Sequence, residues 1–530
     1  MEQSHWTADA SSPVLETTIG GLLRDAASTA GDRTALIAGV PEASARRALT
    51  FSETLTQAER VAAALLARFE PGERVAVWAP NTVEWILLEY GAALAGITLV
   101  TVNPAYRPSE LEFVLKQSRA AGIFLLPEWR SNPMAAALDS VRTNLPALRE
   151  AVLFTEWEEF LATHRQQERL PQVTPDDPVQ IQYTSGTTGF PKGAVLHHRG
   201  VTNNARFYVE RLRLQPEETM VSPMPLFHTA GCFMGVLGAL QARAALVPVL
   251  MFEPGLVLEL IESTGASAFC GVPTMLVALL ESVGASGRDL SRLRVVVSGG
   301  SVVPAELARR LERELGVTFV IVFGTTECSP LVTQTALDDS EVDRVETLGR
   351  PLPQVDVMIA APDSGSPVPV GEVGELCARG YQVMTGYNDN LEGTAAAIDS
   401  QGWYHTGDLA SMDARGYLRI EGRLKDMIIR GGENIYPREI EDALGTHPAV
   451  AEVAVVGVPD ERWGEIVAAF VRLSPNLEAT EAELLAHCRA RLAPYKLPVR
   501  WEFVDAFPMT GSGKIQKFKL KESAAVPAAD

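Results

Sequence analysis

Four serine and threonine hydroxyls, three glycines and one lysine crowd into Tyr183-Thr-Ser-Gly-Thr-Thr-Gly-Phe-Pro-Lys-Gly193, at the end of the strand-like stretch Val179–Tyr183. Glycines let backbone N–H groups approach an anion closely. Hydroxyls donate to phosphate oxygens, and Lys192 adds a compact positive charge. A Walker A loop would put Gly before the lysine and Ser or Thr after it; here Pro191 and Gly193 hold those places. A plain polar surface loop would not need this density of donors. The chemistry expected of it is the binding of nucleotide phosphates.

Four further segments carry groups of the same kind. Phe323-Gly-Thr-Thr-Glu327 sets a carboxylate beside hydroxyls at the end of an apolar run. Mg²⁺ accepts one or two carboxylates together with substrate phosphates, whereas a helix cap on Thr325 or Thr326 is the plainer use of those residues. Trp403-Tyr-His-Thr-Gly-Asp408 ends on an aspartate that could accept both hydroxyls of a ribose or simply close an Asx turn. Gly422-Arg-Leu-Lys-Asp-Met-Ile-Ile-Arg-Gly-Gly-Glu-Asn-Ile-Tyr436 falls where the character of the chain changes. Pro508-Met-Thr-Gly-Ser-Gly-Lys-Ile515 is a glycine-flanked loop ending in Lys514, a position where a lysine is ordinarily a solvated charge.

The elements that must hold these residues alternate in type. Arg74–Ala79 reads as a buried strand; Asn81 is placed to cap a helix carrying Val83, Ile86, Leu87 and Tyr90; and Ile97–Val102 reads as the next strand. Such βαβ units predict mostly parallel sheets covered by helices. Val179–Tyr183, Leu293–Val297 and Val317–Val322 each run into a glycine-rich segment, and ligands of open α/β sheets sit beyond such strand ends. Thr229–Leu240 is apolar but short of the ~20 residues a membrane span needs, so a core helix is expected. From about residue 425 a small α+β pattern follows: helix 437–444, strands 450–458 and 466–472, helix 481–492, strand 499–504. The expected domains are 1–423 and 424–530, within an α/β fold of a large multi-sheet N-terminal domain and a small α+β C-terminal one.

Composition narrows the class. The 530 residues are 46% hydrophobic, enough for packed cores, and carry a formal charge of −20, which argues against nucleic-acid or anionic-membrane partners. The five cysteines form no CxxC pair and are odd in number. Met-Glu-Gln-Ser-His-Trp lacks the basic start and apolar core of a signal peptide. A cytoplasmic protein with reduced, buried cysteines is expected.

In chain order these segments, together with Pro225-Leu-Phe-His228 and Ser298-Gly-Gly-Ser301, resemble the motif set of the adenylate-forming superfamily, which includes acyl-CoA synthetases, firefly luciferase and nonribosomal adenylation domains. The resemblance covers essentially the whole chain and is greatest to bacterial medium-chain fatty-acid–CoA ligases. It implies ATP, Mg²⁺ and CoA as ligands, an acyl-AMP intermediate and a rotating C-terminal domain. Thr184, Ser185, Gly186, Thr187, Thr188, Gly189 and Lys192 would hold the β- and γ-phosphates. Thr326 would meet the α-phosphate and Glu327 would bind Mg²⁺. Gly300 and Ser301 would border adenine, with Phe323 near it where relatives often have tyrosine. Asp408 and Arg423 would hold the ribose. Lys514 would bridge the α-phosphate and the attacking carboxylate, Lys425 would be the hinge, and Gly431 and Gly432 would line the pantetheine channel.

His228 is either a satisfied core histidine or, by the resemblance, a residue of the acid site. Amino-acid adenylation domains have an aspartate there, so Pro-Leu-Phe-His-Thr-Ala-Gly disfavours α-amino acids. The acid site would be lined by Thr229, Ala230, Cys232, Phe233, Gly235, Gly271–Thr274 and Gly299, small or apolar residues suited to a medium-chain, alicyclic or aryl acid. An amide-forming ligase and a ligase loading a separate carrier protein share the first half of this chemistry. GxGxxG, HExxH and GxSxG are absent from the sequence.

Overall fold

A computed structural model describes residues 2–162, 169–184, 191–431, 433–460, 462–509 and 515–525. The chain resolves into two compact units, one of Met1–His5, Met358–Cys377 and Thr406–Asp530, the other of Trp6–Val357 and Ala378–His405. This division does not fall at residue 423. Strand Leu418–Arg423 packs against helix Pro437–Gly445, so the residues just before the expected junction group with those after it.

The larger unit holds two mostly parallel sheets, as the alternation of strands and helices predicts. In a seven-stranded sheet, strand Arg74–Trp78 lies between parallel neighbours Thr98–Val102 and Gly122–Leu125. Pro178–Thr184 extends the sheet beside Thr98–Val102. Lys192–His197 then returns antiparallel to Pro178–Thr184, with Thr184 opposite Lys192, so the two strands clamp the ends of the glycine-rich loop. In a nine-stranded sheet, Val295–Gly299 runs parallel to Thr318–Gly324, placing Gly299 opposite Val322. Their helices are amphipathic where one face is exposed: Ala305–Leu315 buries Leu307, Ala308 and Leu311 against Phe319 and Ile321. Helix Val83–Ala95 is instead buried on every face, and it continues between fully buried strands.

Thr82, not Asn81, caps that helix, its hydroxyl accepting from Trp85 N at 3.2 Å. Asn81 is used elsewhere. Its amide donates to the carbonyls of Met224 (2.9 Å) and Val249 (3.0 Å), and its Oδ1 accepts from Leu226 N at 2.9 Å. An asparagine satisfying three buried backbone groups ties down the loop before His228, a long-range role that outweighs the local one. The apolar segment after His228 also departs from expectation: Ala230–Leu237 is a π-helix that becomes an α-helix only at Gly238–Ala242.

In the other unit, strands Val450–Asp460 and Gly464–Leu473 pair antiparallel, and Arg500–Phe503 lies parallel beside the second. Alternate residues face two cores. Val455, Val467, Ala469 and Val471 meet Ile440, Leu444, Leu484 and Cys488; Val456, Ala468 and Phe470 meet Phe507 and Leu520. The helix predicted to reach residue 492 ends at Arg489, after starting at a Thr480–Glu483 capping box. Among the described residues no helix is long and apolar enough to cross a membrane, and all five cysteines are buried and outside any disulfide.

Candidate active site

The glycine-rich loop leaves and re-enters the sheet at Thr184 and Lys192; Ser185, Gly186, Thr187, Thr188 and Gly189 lie outside the described residues. Lys192 points its ammonium at the face of Tyr387, 4.9 Å from the ring centroid. The Tyr387 hydroxyl donates to Glu327 Oε1 at 2.8 Å. Lys192, Tyr387 and Glu327 are thus in one contiguous arrangement, although they come from three distant parts of the sequence. Strand Gly386–Tyr387 delivers the tyrosine by pairing antiparallel with Lys192–His197, Tyr387 opposite Ala194.

Glu327 sits in the 3₁₀ turn Thr326–Cys328 at the end of strand Thr318–Gly324, and its backbone carbonyl accepts from Met384 N at 2.7 Å. The turn is held close to the sheet. A Cβ on Gly324 would lie 1.9 Å from the Pro330 carbonyl oxygen, so only glycine fits there. Thr325 makes no side-chain cap bond, which removes the helix-cap reading of this motif. Glu327 is only 7% exposed, and among the described residues no lysine, arginine or histidine forms an ion pair with it. Burying a carboxylate without a counter-charge is costly, so this donor fits a divalent cation. Burial, reinforced by the Glu327 charge, raises the hydroxyl pKa of Tyr387 and of Tyr404, which keeps the Tyr387 hydroxyl a donor to the carboxylate.

Two strand ends lie side by side in the nine-stranded sheet. Gly299 needs its missing side chain, because a Cβ would meet the Val322 carbonyl oxygen at 2.3 Å; Gly300 follows in the left-handed region (φ 76°), and Ser301 is exposed. Half-buried Phe323 lies one residue beyond Val322 on the adjacent strand. In the other unit, Asp408 and Arg423 are cross-strand partners of the hairpin formed by Tyr404–Met412 and Leu418–Arg423. They form an ion pair of 2.8 Å from Nε to Oδ1. The Thr406 hydroxyl accepts from Asp408 N at 3.0 Å and donates to the Leu376 carbonyl at 2.7 Å, fixing the turn before the aspartate. Lys425 lies in the short turn Leu424–Asp426. Gly431 takes φ 61° against Trp463, whose carbonyl accepts from Gly431 N at 2.8 Å. Gly432 and Lys514 lie outside the described residues.

His228 enters the π-helix. Its Nδ1 accepts from Ala230 N at 3.3 Å. Cys232 and Phe233 are fully buried on the same helix. A π-turn widens the helix and recurs at functional positions. Gly231 permits this one, since a Cβ would stand 2.1 Å from the Pro225 carbonyl oxygen. Gly231→Ala therefore forces a backbone shift costing about 1–3 kcal/mol, and denaturant unfolding of the variant should show a lowered midpoint.

Tyr387 has no neighbouring signature in the sequence, whereas Tyr404 lies inside Trp403-Tyr-His-Thr-Gly-Asp408. Gln180 and Gln182 were visible as polar residues at period two in an otherwise buried strand.

The AMP-binding enzyme family model matches residues 23–388, and the AMP-binding enzyme C-terminal domain model matches 439–514. YngI of Bacillus subtilis (strain 168), provisionally named an acyl-CoA synthetase, is 40% identical over 538 residues, covering 96% of this chain and 97% of that protein. The mitochondrial medium-chain acyl-CoA ligase ACSF2 of Homo sapiens is 37% identical over 541 residues, covering 95% and 87%. Among solved structures, ATP-bound MatB from Rhodopseudomonas palustris has a TM-score of 0.87 at 28% identity, covering 96% of this chain and 99% of that one.

Proposed function

We propose, for a chain that belongs to the AMP-binding enzyme family, an AMP-forming acid–CoA ligase that converts a carboxylic acid and ATP to acyl-AMP and pyrophosphate, then passes the acyl group to CoA. The observation that carries this reading is the Lys192–Tyr387–Glu327 arrangement, which sets a cation and a buried carboxylate at the mouth of a phosphate-binding loop.

Each residue has a task in this reading. The loop from Thr184 to Lys192 grips the β- and γ-phosphates. Glu327 holds Mg²⁺, which when bound neutralises phosphate charge. Thr326 contacts the α-phosphate; Gly300, Ser301 and Phe323 border adenine; Asp408 and Arg423 hold the ribose. His228 orients the acid, and Lys514 reaches both the carboxylate and the α-phosphate. The negative charge that grows on the α-phosphate is stabilised most by a cation already aimed there. Water must be excluded from the acyl-AMP, and the buried wall Cys232–Phe233 supplies an apolar lining.

A medium-chain or similarly apolar acid is the proposed substrate class, supported by that lining and by the name of the ACSF2 relative. The proposed acceptor is CoA. Gly431 and the neighbouring Trp463, with Arg430 and Arg462 at 5.7 and 5.0 Å from its ring, offer an aromatic and cationic surface suited to an anionic nucleotide thiol. A cytoplasmic location is part of the same reading, supported by five buried cysteines outside any disulfide.

Although the compact units do not divide at residue 423, a functional hinge centred on Lys425, next to the 423/424 boundary expected from the sequence, is part of the same proposal. Proline there would lock φ near −65° and block dihedral change. Lys425→Pro should leave acyl-AMP formation largely intact and slow thioester formation from supplied acyl-AMP by about tenfold or more. Single-turnover assays of the two half-reactions check this, and an unaltered second step removes the hinge from Lys425.

The overall reading is tested by product mass. The protein is incubated with ATP, Mg²⁺, CoA, mixed amines and a panel of fatty, alicyclic and aryl acids. Acyl-CoA with AMP release is expected. Amides, or acyl-AMP without a CoA adduct, would move the second step to another acceptor.

A further inference from the structure

Behind the acid-site helix runs a chain of buried polar groups that the proposed mechanism does not use. Glu89 lies in the wholly buried helix Val83–Ala95 and is 1% exposed. Its Oε1 accepts from Gln180 Nε2 at 2.6 Å. Gln180 Oε1 accepts from Gln182 Nε2 at 2.9 Å, and the same amide nitrogen donates to Cys232 Sγ at 3.0 Å. Cys232 Sγ lies 3.4 Å from the His228 carbonyl oxygen, to which it donates. Gln180, Gln182 and Cys232 are 0%, 2% and 0% exposed. Both protons of the Gln182 amide are thereby committed.

An apolar core would be the simpler way to fill this space, because buried polar chains cost stability unless every member is satisfied. This one is not fully satisfied: Glu89 Oε2 is buried without a hydrogen-bond partner. Burial pushes the Glu89 pKa well up, which keeps the side chain neutral. A glutamic acid kept at such a cost, two glutamines on one face of the strand that leads into the phosphate loop, and a thiol on the π-helix form a single connection between the two ligand subsites.

We propose that Glu89 is a positioning residue for acid binding: through Gln180 and Gln182 it fixes the Cys232 thiol against the His228 carbonyl and so sets the first turn of the π-helix that carries the acid-site wall. The inference rests on the assignment of His228 and Cys232 to the acid site. Of the residues it concerns, Glu89, Gln180 and Gln182 would not touch substrate.

Steady-state kinetics on three variants test it. Glu89→Gln keeps the acceptor and the neutral shape and should behave as wild type. Glu89→Leu removes the acceptor and should raise KM for the acid about tenfold, the loss of roughly one hydrogen bond's worth of ordering, with KM for ATP unchanged. Cys232→Ala should raise the acid KM in the same direction, and it deletes only a buried thiol should Glu89→Leu fail to fold. The Glu89→Leu and Cys232→Ala effects should be non-additive in a double-mutant cycle. Equal changes in the acid and ATP KM values, failure of Glu89→Gln to rescue, or strict additivity would overturn the inference.

Calorimetry with a non-hydrolysable acyl-adenylate analogue separates the two ways of failing. Wild type binding AMP but not the analogue would overturn the acid-site assignment itself. Wild type and variants binding the analogue equally would overturn the role of Glu89 alone.

Discussion

Lys514→Ala is expected to lower acyl-AMP formation by about 10²–10³-fold, the usual cost of removing one group aimed at developing transition-state charge. The same variant should still convert supplied acyl-AMP and CoA to thioester. The asymmetry follows from chemistry. Two anions, the carboxylate and the α-phosphate, must be brought together in the first step, whereas in the second a neutral acyl carbonyl meets a thiol. Lys514 immediately precedes Ile515, which bridges Met509, while Gln516 N donates to the Pro508 carbonyl at 2.8 Å. Phe507 and Leu520 anchor the flanks in the core of the C-terminal residues. Residues 508, 509, 515 and 516 on either side of Lys514 are therefore fixed, and alanine at position 514 should not disturb folding. Pyrophosphate exchange reads the first half-reaction and thioester formation from synthetic acyl-AMP reads the second. An equal fall in both, in a protein that melts like wild type, would contradict the role assigned to Lys514.

Glu327→Gln is the second large effect. Glutamine keeps the length of the side chain and an oxygen for the Tyr387 hydroxyl, but it removes the buried negative charge. Adenylation should fall by about 10²-fold, and the Mg²⁺ concentration for half-maximal rate should rise. Tyr387→Phe deletes only the donor that orients the carboxylate, and a loss nearer tenfold is expected, within the usual range for groups that position a metal ligand. Titration of activity against Mg²⁺ checks both. An unchanged Mg²⁺ dependence in Glu327→Gln would remove the metal from this carboxylate.

Sequence reasoning reached the strands of the larger unit because fully buried parallel strands are continuous apolar runs, and it reached the site loops because glycine and hydroxyl residues cluster where strands end. The α/β class and the family followed from these. What stayed hidden was set by contacts remote in sequence. Asn81 has the side chain of a helix cap, yet three buried backbone groups from residues 224 to 249 claim it and leave Thr82 as the cap. The period of residues 229–240 is apolar on every side and does not distinguish a π-turn from an α-turn. Tyr387 joins the site only through the pairing of strand Gly386–Tyr387 with Lys192–His197. The phosphate loop itself, Gly432 and Lys514 were legible as motifs, but they lie outside the described residues, so their roles rest on sequence and on the geometry of their neighbours.

The central claim is that the acid's own oxygen attacks the α-phosphate of ATP. It is tested most directly by offering an accepted acid with ¹⁸O in both carboxyl oxygens, together with ATP, Mg²⁺ and CoA, and weighing the products. The account predicts AMP carrying one ¹⁸O atom and unlabelled pyrophosphate. Label in inorganic phosphate with ADP as the nucleotide product, or unlabelled AMP alongside acyl-CoA, would contradict it.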